Sequence, residues 1–189
     1  MKCGRIDLAC TKCRLSKGRT KVVPGDGPCD SAILFVGEAP GRDEDLSGRP
    51  FVGRGGRLLD KALERAGVAR EQVRITNLVK CRPPGNRRPR KDEVSICTSL
   101  YLMGEIESVK PRVVCALGQT AAEQLAGRKV QMGASVGKEI PHSLPVKGVR
   151  LFVAYHPAAC LYQRRNLDEF EKGVQAALQA AGLATGKRR

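Results

Sequence analysis

The run Ile33-Leu-Phe-Val-Gly-Glu-Ala-Pro-Gly41, continued by Arg42-Asp-Glu-Asp-Leu46, makes with the preceding Ala32 five consecutive apolar residues at 32–36 that stop at a Gly/Pro turn. An uninterrupted apolar run of that length between turn signals reads as a strand buried on both faces. Four carboxylates, Glu38, Asp43, Glu44 and Asp45, follow it directly. A buried strand that ends in a polar turn puts the turn at its carboxyl end, where open α/β sheets hold their ligands. The residues alone therefore predict a ligand site just after the strand and do not name the ligand.

Outward from this run the pattern repeats. Val73-Arg-Ile-Thr-Asn-Leu-Val79, Val113-Val-Cys-Ala-Leu117 and Val149-Arg-Leu-Phe-Val-Ala154 read as three more strands. Apolar residues at mixed 3/4 spacing predict helices over 57–66, 92–108 and about 118–126, and a last one to about 181 with Asn166 as its N-cap. A short helix over 5–16 would set Cys10 and Cys13 on one face. Residues 20–31 read as a loop, and 127–148, rich in Gly, Lys and Pro, take no assignment. Strands alternating with helices predict an α/β fold, a three-layer α/β/α sandwich with a central, mostly parallel four-stranded sheet. One domain over 1–189 is expected, with 184–189 as a basic tail. Glu38, Asn77 and His156 then all fall at carboxyl ends of strands.

Lys and Arg total 34 against 19 acidic residues, a net charge of +15. That imbalance attracts phosphate backbones and favours a nucleic-acid partner. No apolar run approaches the length of a membrane span. The start, Met1-Lys-Cys-Gly-Arg-Ile-Asp-Leu8, lacks the apolar stretch of a signal peptide, so a cytoplasmic, nucleoid-associated protein is expected. In that compartment eight cysteines argue against a disulfide framework and for ligation by some and core packing by others.

Cys10-x-x-Cys13, Cys81 and Cys97 make up four thiolates, soft ligands suited to zinc or to an iron–sulfur centre, and their spacing does not choose between the two. Cys3 and Cys29 are weaker rivals as ligands. Cys115 lies in a strand and reads as a small core hydrophobe, and Cys160 sits inside the stretch that begins at His156. The loop at 80–91 carries six basic residues among twelve and no acidic one. Pro83, Pro84 and Pro89 stiffen it, and cysteines 81 and 97 bracket it, so a bound metal group would pin a phosphate-binding loop to the sheet.

Gly37-Glu-Ala-Pro-Gly41 with Glu44-Asp45, the four cysteines, and His156-Pro-Ala-Ala-Cys-Leu-Tyr162 occur in an order that resembles the family-4 uracil-DNA glycosylases, the iron–sulfur branch of that superfamily. The resemblance spans about 10–162. It implies a [4Fe–4S] cluster on Cys10, Cys13, Cys81 and Cys97, and a monomeric enzyme that flips uracil out of DNA and hydrolyses its glycosidic bond. It places Gly37, Glu38 and Gly41 in the uracil pocket and suggests Glu44 as a further functional carboxylate. Phe51 would stack on the base. The amide of Asn77 offers an acceptor and donors that match uracil N3–H and O4, whereas cytosine presents the opposite pattern. His156 would donate to O2 as charge develops there. Arg82, Arg87, Arg88, Arg164 and Arg165 are expected on phosphates, and Leu161 is expected to fill the gap left by the flipped base. The superfamily branches that carry an Asp at the third position of the first motif use it to place water; Ala39 stands there in this chain. A sliding-clamp partner is not readable from the sequence. A non-catalytic DNA-binding module is the competing reading, and the joint presence of Glu38, Asn77 and His156 argues against it.

Overall fold

The computed structural model describes residues 3–161 and 165–184. Strand β1 (Ile33–Gly37) is buried along its whole length, and Ile33, Leu34, Phe35 and Val36 have no solvent exposure. Burying one such side chain contributes about 1.5–3 kcal/mol, which is why this strand lies inside the sheet, with a neighbour on each side. It is followed by α1 (Arg42–Ser47), α2 (Arg54–Arg65) and β2 (Arg74–Asn77). After β2 come α3 (Lys91–Cys97), a π-helical turn (Thr98–Leu102) and α4 (Met103–Val109). The chain continues through β3 (Val113–Leu117), α5 (Gln119–Ala126), α6 (Met132–Ser135) and β4 (Glu139–Ile140). It closes with β5 (Arg150–Ala154), α7 (Pro157–Cys160) and α8 (Arg165–Ala180).

The sheet order is β2-β1-β3-β5-β4, with four parallel strands and β4 antiparallel on β5. The four expected parallel strands are present, and the count of four is corrected to five. The added strand is two residues long, and its Glu139 is exposed while Ile140 is buried, so it leaves no periodic signal in the sequence. Alternating strand residues face two cores. Leu34, Val36, Val114, Ala116, Leu151 and Val153 pack with Val94, Leu102, Ile106 and Leu125. Ile33, Phe35, Val113, Cys115 and Phe152 pack with Leu59 and Leu63 of α2 and with Phe170, Val174 and Leu178 of α8. Helices thus cover both faces, the three-layer sandwich expected from the alternation.

Three local expectations change. Instead of a helix over 5–16 the chain forms a 3₁₀ turn at Arg14–Lys17, because too few apolar residues recur there to bury a helical face. Asn166 lies inside α8, which already begins at Arg165. Cys3 and Cys29 are joined in a disulfide with a Cα–Cα distance of 5.2 Å. The amino-terminal segment folds back on the loop before β1, a tertiary contact that a cysteine count cannot reveal. Of the expected basic tail at 184–189, Ala184 packs half-buried against the second core, and residues 185–189 lie outside the described residues. Among those described, no helix is long and apolar enough to cross a membrane.

Candidate active site

Because the four long strands are parallel, their carboxyl ends open on one edge of the sheet. The chain crosses from β2, on one side of β1, to β3 on the other, which leaves a crevice at the switch point. A cleft of about 630 Å³ lies there. It is lined by Glu38, Gly41, Glu44, Phe51, Asn77, Arg87, Arg88, His156 and Leu161, so most of the residues singled out from the sequence meet in one place.

Gly37, Phe51 and Asn77 converge at its floor. A methyl group on Gly37 would lie 2.5 Å from both Asn77 Oδ1 and Phe51 Cζ, so only glycine leaves this space open. Asn77 is 2% exposed, and its Oδ1 has no hydrogen-bond partner among the described residues. A buried carbonyl oxygen left without a donor costs about 1–3 kcal/mol. Such an atom at the end of a strand, facing a cleft, is suited to a ligand that brings an N–H.

Phe51 has φ 53°, a left-handed conformation that costs a non-glycine residue about 1–3 kcal/mol. Two features hold it there. Arg70 donates to Phe51 O at 3.1 Å and to Pro50 O at 2.7 Å while paired with Asp60 at 2.6 Å. Gly56 lets α2 approach so closely that a methyl group there would sit 1.8 Å from Phe51 O. The Phe51 ring lies 6.0 Å from that of His156, tilted by 36°. Arg70→Ala is expected to lose about 2 kcal/mol of folding stability, read by urea denaturation; an unchanged midpoint would show that the clamp is dispensable.

His156 is the N-cap of α7, followed by Pro157 at the first helical position, where its fixed φ is favourable. Its Nδ1 accepts from Ala158 N–H at 3.2 Å. Burial holds the imidazole below the ordinary histidine value, against the pull of Glu38 and Glu44. A neutral ring whose Nδ1 accepts carries its proton on Nε2. The fold therefore fixes a donor tautomer.

The four carboxylates after β1 have different fates. Glu44 Oε1 accepts from Val52 and Gly53 N–H at 2.9 and 2.8 Å, and Oε2 accepts from Gly41 N–H at 3.0 Å. It staples the turn after β1 to the Phe51 loop. Asp45, 2% exposed, accepts from the Thr20 and Lys21 backbone. Glu38 and Asp43 remain open to the cleft.

The basic loop is similarly divided. Arg87 is committed to Glu93 through two bonds of 2.8 and 2.7 Å, and its guanidinium holds that buried carboxyl below the usual range. Arg82 bonds Asn86. Arg88 is exposed at the cleft, 3.9 Å from Glu38 and 4.0 Å from Glu123. Leu161, 37% exposed, stands at the cleft rim. Arg164 lies outside the described residues, and Arg165 is the first residue of α8. Sequence reasoning missed Arg42, Arg54, Gln119 and Thr120, which also line the cleft. Only the position of Arg42 directly after the first motif could have pointed to one of them.

Cys10 and Cys13 meet Cys81 and Cys97 around a second, small cavity. Arg19 Nη1 donates to Cys81 Sγ at 3.5 Å and Lys80 N–H to Cys97 Sγ at 3.3 Å. Tyr101 lines the same cavity. Burial pushes the Cys81 thiol up to about 11. Among the described residues no group of three or more His, Cys, Asp or Glu is arranged to hold a single metal ion. Four thiols lining one small cavity, two of them with N–H donors on their sulfurs, are a donor set suited to a thiolate-bound metal centre. The other cysteines are spoken for: Cys115 is fully buried in the core, and buried Cys160 bonds the carbonyls of His156 and Asn166.

The fold, the switch-point cleft and the sequence agree with one lineage. Residues 24–180 match the Uracil DNA glycosylase superfamily, and the chain belongs to it. Within that superfamily it belongs to the type-4 group. It is 46% identical to a type-4 uracil-DNA glycosylase of Pyrobaculum aerophilum over 87% of this chain and 86% of the relative. It is 42% identical to one of Saccharolobus solfataricus over 90% and 82%. A type-5 uracil-DNA glycosylase of Pyrobaculum aerophilum is more distant, 32% identical over 72% and 65%.

Proposed function

We propose that this chain is a monofunctional uracil-DNA glycosylase that hydrolyses the N-glycosidic bond of uracil in single- or double-stranded DNA, releasing free uracil and leaving an abasic site. The observation that carries the proposal is the unpartnered, buried Oδ1 of Asn77, set in one cleft with Phe51 and the donor nitrogen of His156.

Arg88 and its basic neighbours, with Arg164 and Arg165, attract the phosphates, and the target nucleotide turns out of the stack while Leu161 takes its place. Flipping costs a few kcal/mol, least where the base is mispaired or already single-stranded. Uracil enters over Gly37 and stacks on Phe51. Asn77 accepts from N3–H through Oδ1 and donates to O4. As the C1′–N1 bond breaks, its electron pair passes onto uracil and concentrates at O2, where His156 Nε2–H donates. Water adds to C1′ and gives its proton to solvent, and the uracil anion takes up a proton on release. Glu38 and Asp43 are the open carboxylates positioned to order that water, while Glu44 acts by holding the two loops together.

Cys10, Cys13, Cys81 and Cys97 would hold a [4Fe–4S] cluster, whose iron–thiolate bonds would tie the amino-terminal segment to the basic loop. A net charge of +15 on one chain opposes self-association and attracts DNA, which supports a monomer acting on DNA at the nucleoid.

The test is release of uracil from a single-uracil oligonucleotide by a preparation checked for iron by its visible absorption. A coloured, DNA-binding protein that releases no uracil would replace the glycosylase with a binding module. Arg88→Ala is expected to weaken DNA binding across all sequences and to lower the slope of log affinity against log salt by about 1. An unchanged slope in a salt titration would remove Arg88 from the phosphate contacts.

A further inference from the structure

Behind the base-reading residue lies a charged cluster that the chemistry above does not use. The side chains of Lys80 and Glu105 are each 1% exposed and that of Arg74 is 6% exposed. Glu105 accepts from Arg74 Nε at 2.8 Å, Lys80 Nζ at 3.0 Å and Thr76 Oγ1 at 3.0 Å. Arg74 Nη1 also donates to Gly27 O at 2.6 Å. Two buried cations thus share one carboxylate. Replacing such groups with well-packed apolar residues is often neutral or stabilising, so stability alone does not account for Lys80.

Geometry supplies another role. β2 is an edge strand. Leu78 N–H is donated inward to Gly37 O at 2.9 Å, so the Asn77 carbonyl on the same peptide points outward, where no strand follows. Two residues earlier, Asp26 covers that edge by exchanging both backbone bonds with Ile75. At Asn77 the ammonium of Lys80 takes the place of the missing strand, donating to Asn77 O at 3.0 Å and also to Thr76 Oγ1. The amide oxygen of Asn77 has no partner of its own among the described residues, so the aim of its side chain depends on how firmly its backbone is held. The Lys80 N–H meanwhile rests on Cys97 Sγ, which joins the anchor to the cysteine site.

We propose that Lys80 is a positioning residue for base recognition: its buried ammonium fixes the carbonyl of Asn77 and so aims the Asn77 amide at the flipped base. This rests on Asn77 being the base reader.

Lys80→Met removes the donor and leaves Glu105 paired with Arg74. Single-turnover uracil release would be measured for wild type, Lys80→Met, Asn77→Ala and the double variant, with thermal midpoint and visible cluster absorption recorded for each. The expected result is a loss of about 10- to 100-fold for Lys80→Met in the wild-type background. In the Asn77→Ala background the same change should cost less than about twofold, because Lys80 acts through the residue already removed. Cluster absorption should be retained throughout. An equal loss in both backgrounds, or no loss in either, overturns the inference. A wild type that releases no uracil overturns instead the glycosylase reading. Where Lys80→Met does not fold, Lys80→Leu, which also removes the donor to Asn77 O, carries the same cycle.

Discussion

Replacing His156 with alanine is expected to slow uracil release by about 100- to 1000-fold, or ~2.7–4 kcal/mol, the usual cost of removing one preorganised donor from a developing anion. DNA affinity should change little, because the imidazole sits inside the cleft and not among the phosphate-facing arginines. Single-turnover rates set against a binding titration check both halves, and a drop of less than about tenfold would deny His156 this role. The pH dependence follows from the same hydrogen bond. Burial keeps the ring neutral below the ordinary histidine value of about 6.5. Release should therefore stay level as pH falls through that value and decline only further into acid. There a proton on Nδ1 forces out the Ala158 N–H that it accepts. Folding stability has the same sign. The unfolded chain takes up the proton that the buried ring refuses, so this contribution is intact above the ordinary value and is lost as pH falls from there through the folded-state value.

How much of this the sequence carried depends on how local each signal is. β1, β3 and β5 were legible because strands buried on both faces must be almost wholly apolar. β4 was not, since Glu139–Ile140 is a two-residue edge whose pairing is decided by β5. The helix predicted over 92–108 exists as Lys91–Cys97 and Met103–Val109 joined through a π-helical turn, which no periodicity of 3.6 could announce. At the site, glycines, an amide and a histidine at strand ends stood out because few structural jobs need them there. The carboxylates did not sort themselves: Glu38, Glu44 and Asp45 look alike in sequence. Only the turn geometry gives Glu44 three backbone N–H groups and Asp45 the Thr20 and Lys21 amides. Arg87 likewise looked like a phosphate ligand until its bidentate pairing with buried Glu93 was visible.

Asn77 gives the sharpest chemical test, because its role is to compare patterns of donors and acceptors. Truncation to alanine removes an acceptor for N3–H and a donor for O4, two hydrogen bonds of ~1.5 kcal/mol each, and should lower uracil release roughly 100-fold. Asn77→Asp separates recognition from packing, since it keeps the shape and changes the pattern. As a carboxylate it has no proton to offer O4 and should excise uracil as poorly as alanine does. In a site where the native side chain is 2% exposed, desolvation raises a carboxyl pKa. The neutral acid would then present one donor and one acceptor, the complement of cytosine N3 and its exocyclic amine. Cytosine release from a single-stranded oligonucleotide by this variant should accordingly grow as pH is lowered, while the wild type stays silent on cytosine at every pH. Parallel assays of both bases across pH decide the matter. Uracil release by Asn77→Asp at the wild-type rate in alkaline solution, where the carboxyl is ionised and has no proton for O4, would mean that the base is read by some other group, and the oxygen at the floor of the cleft, without a partner among the described residues, would then need a different ligand.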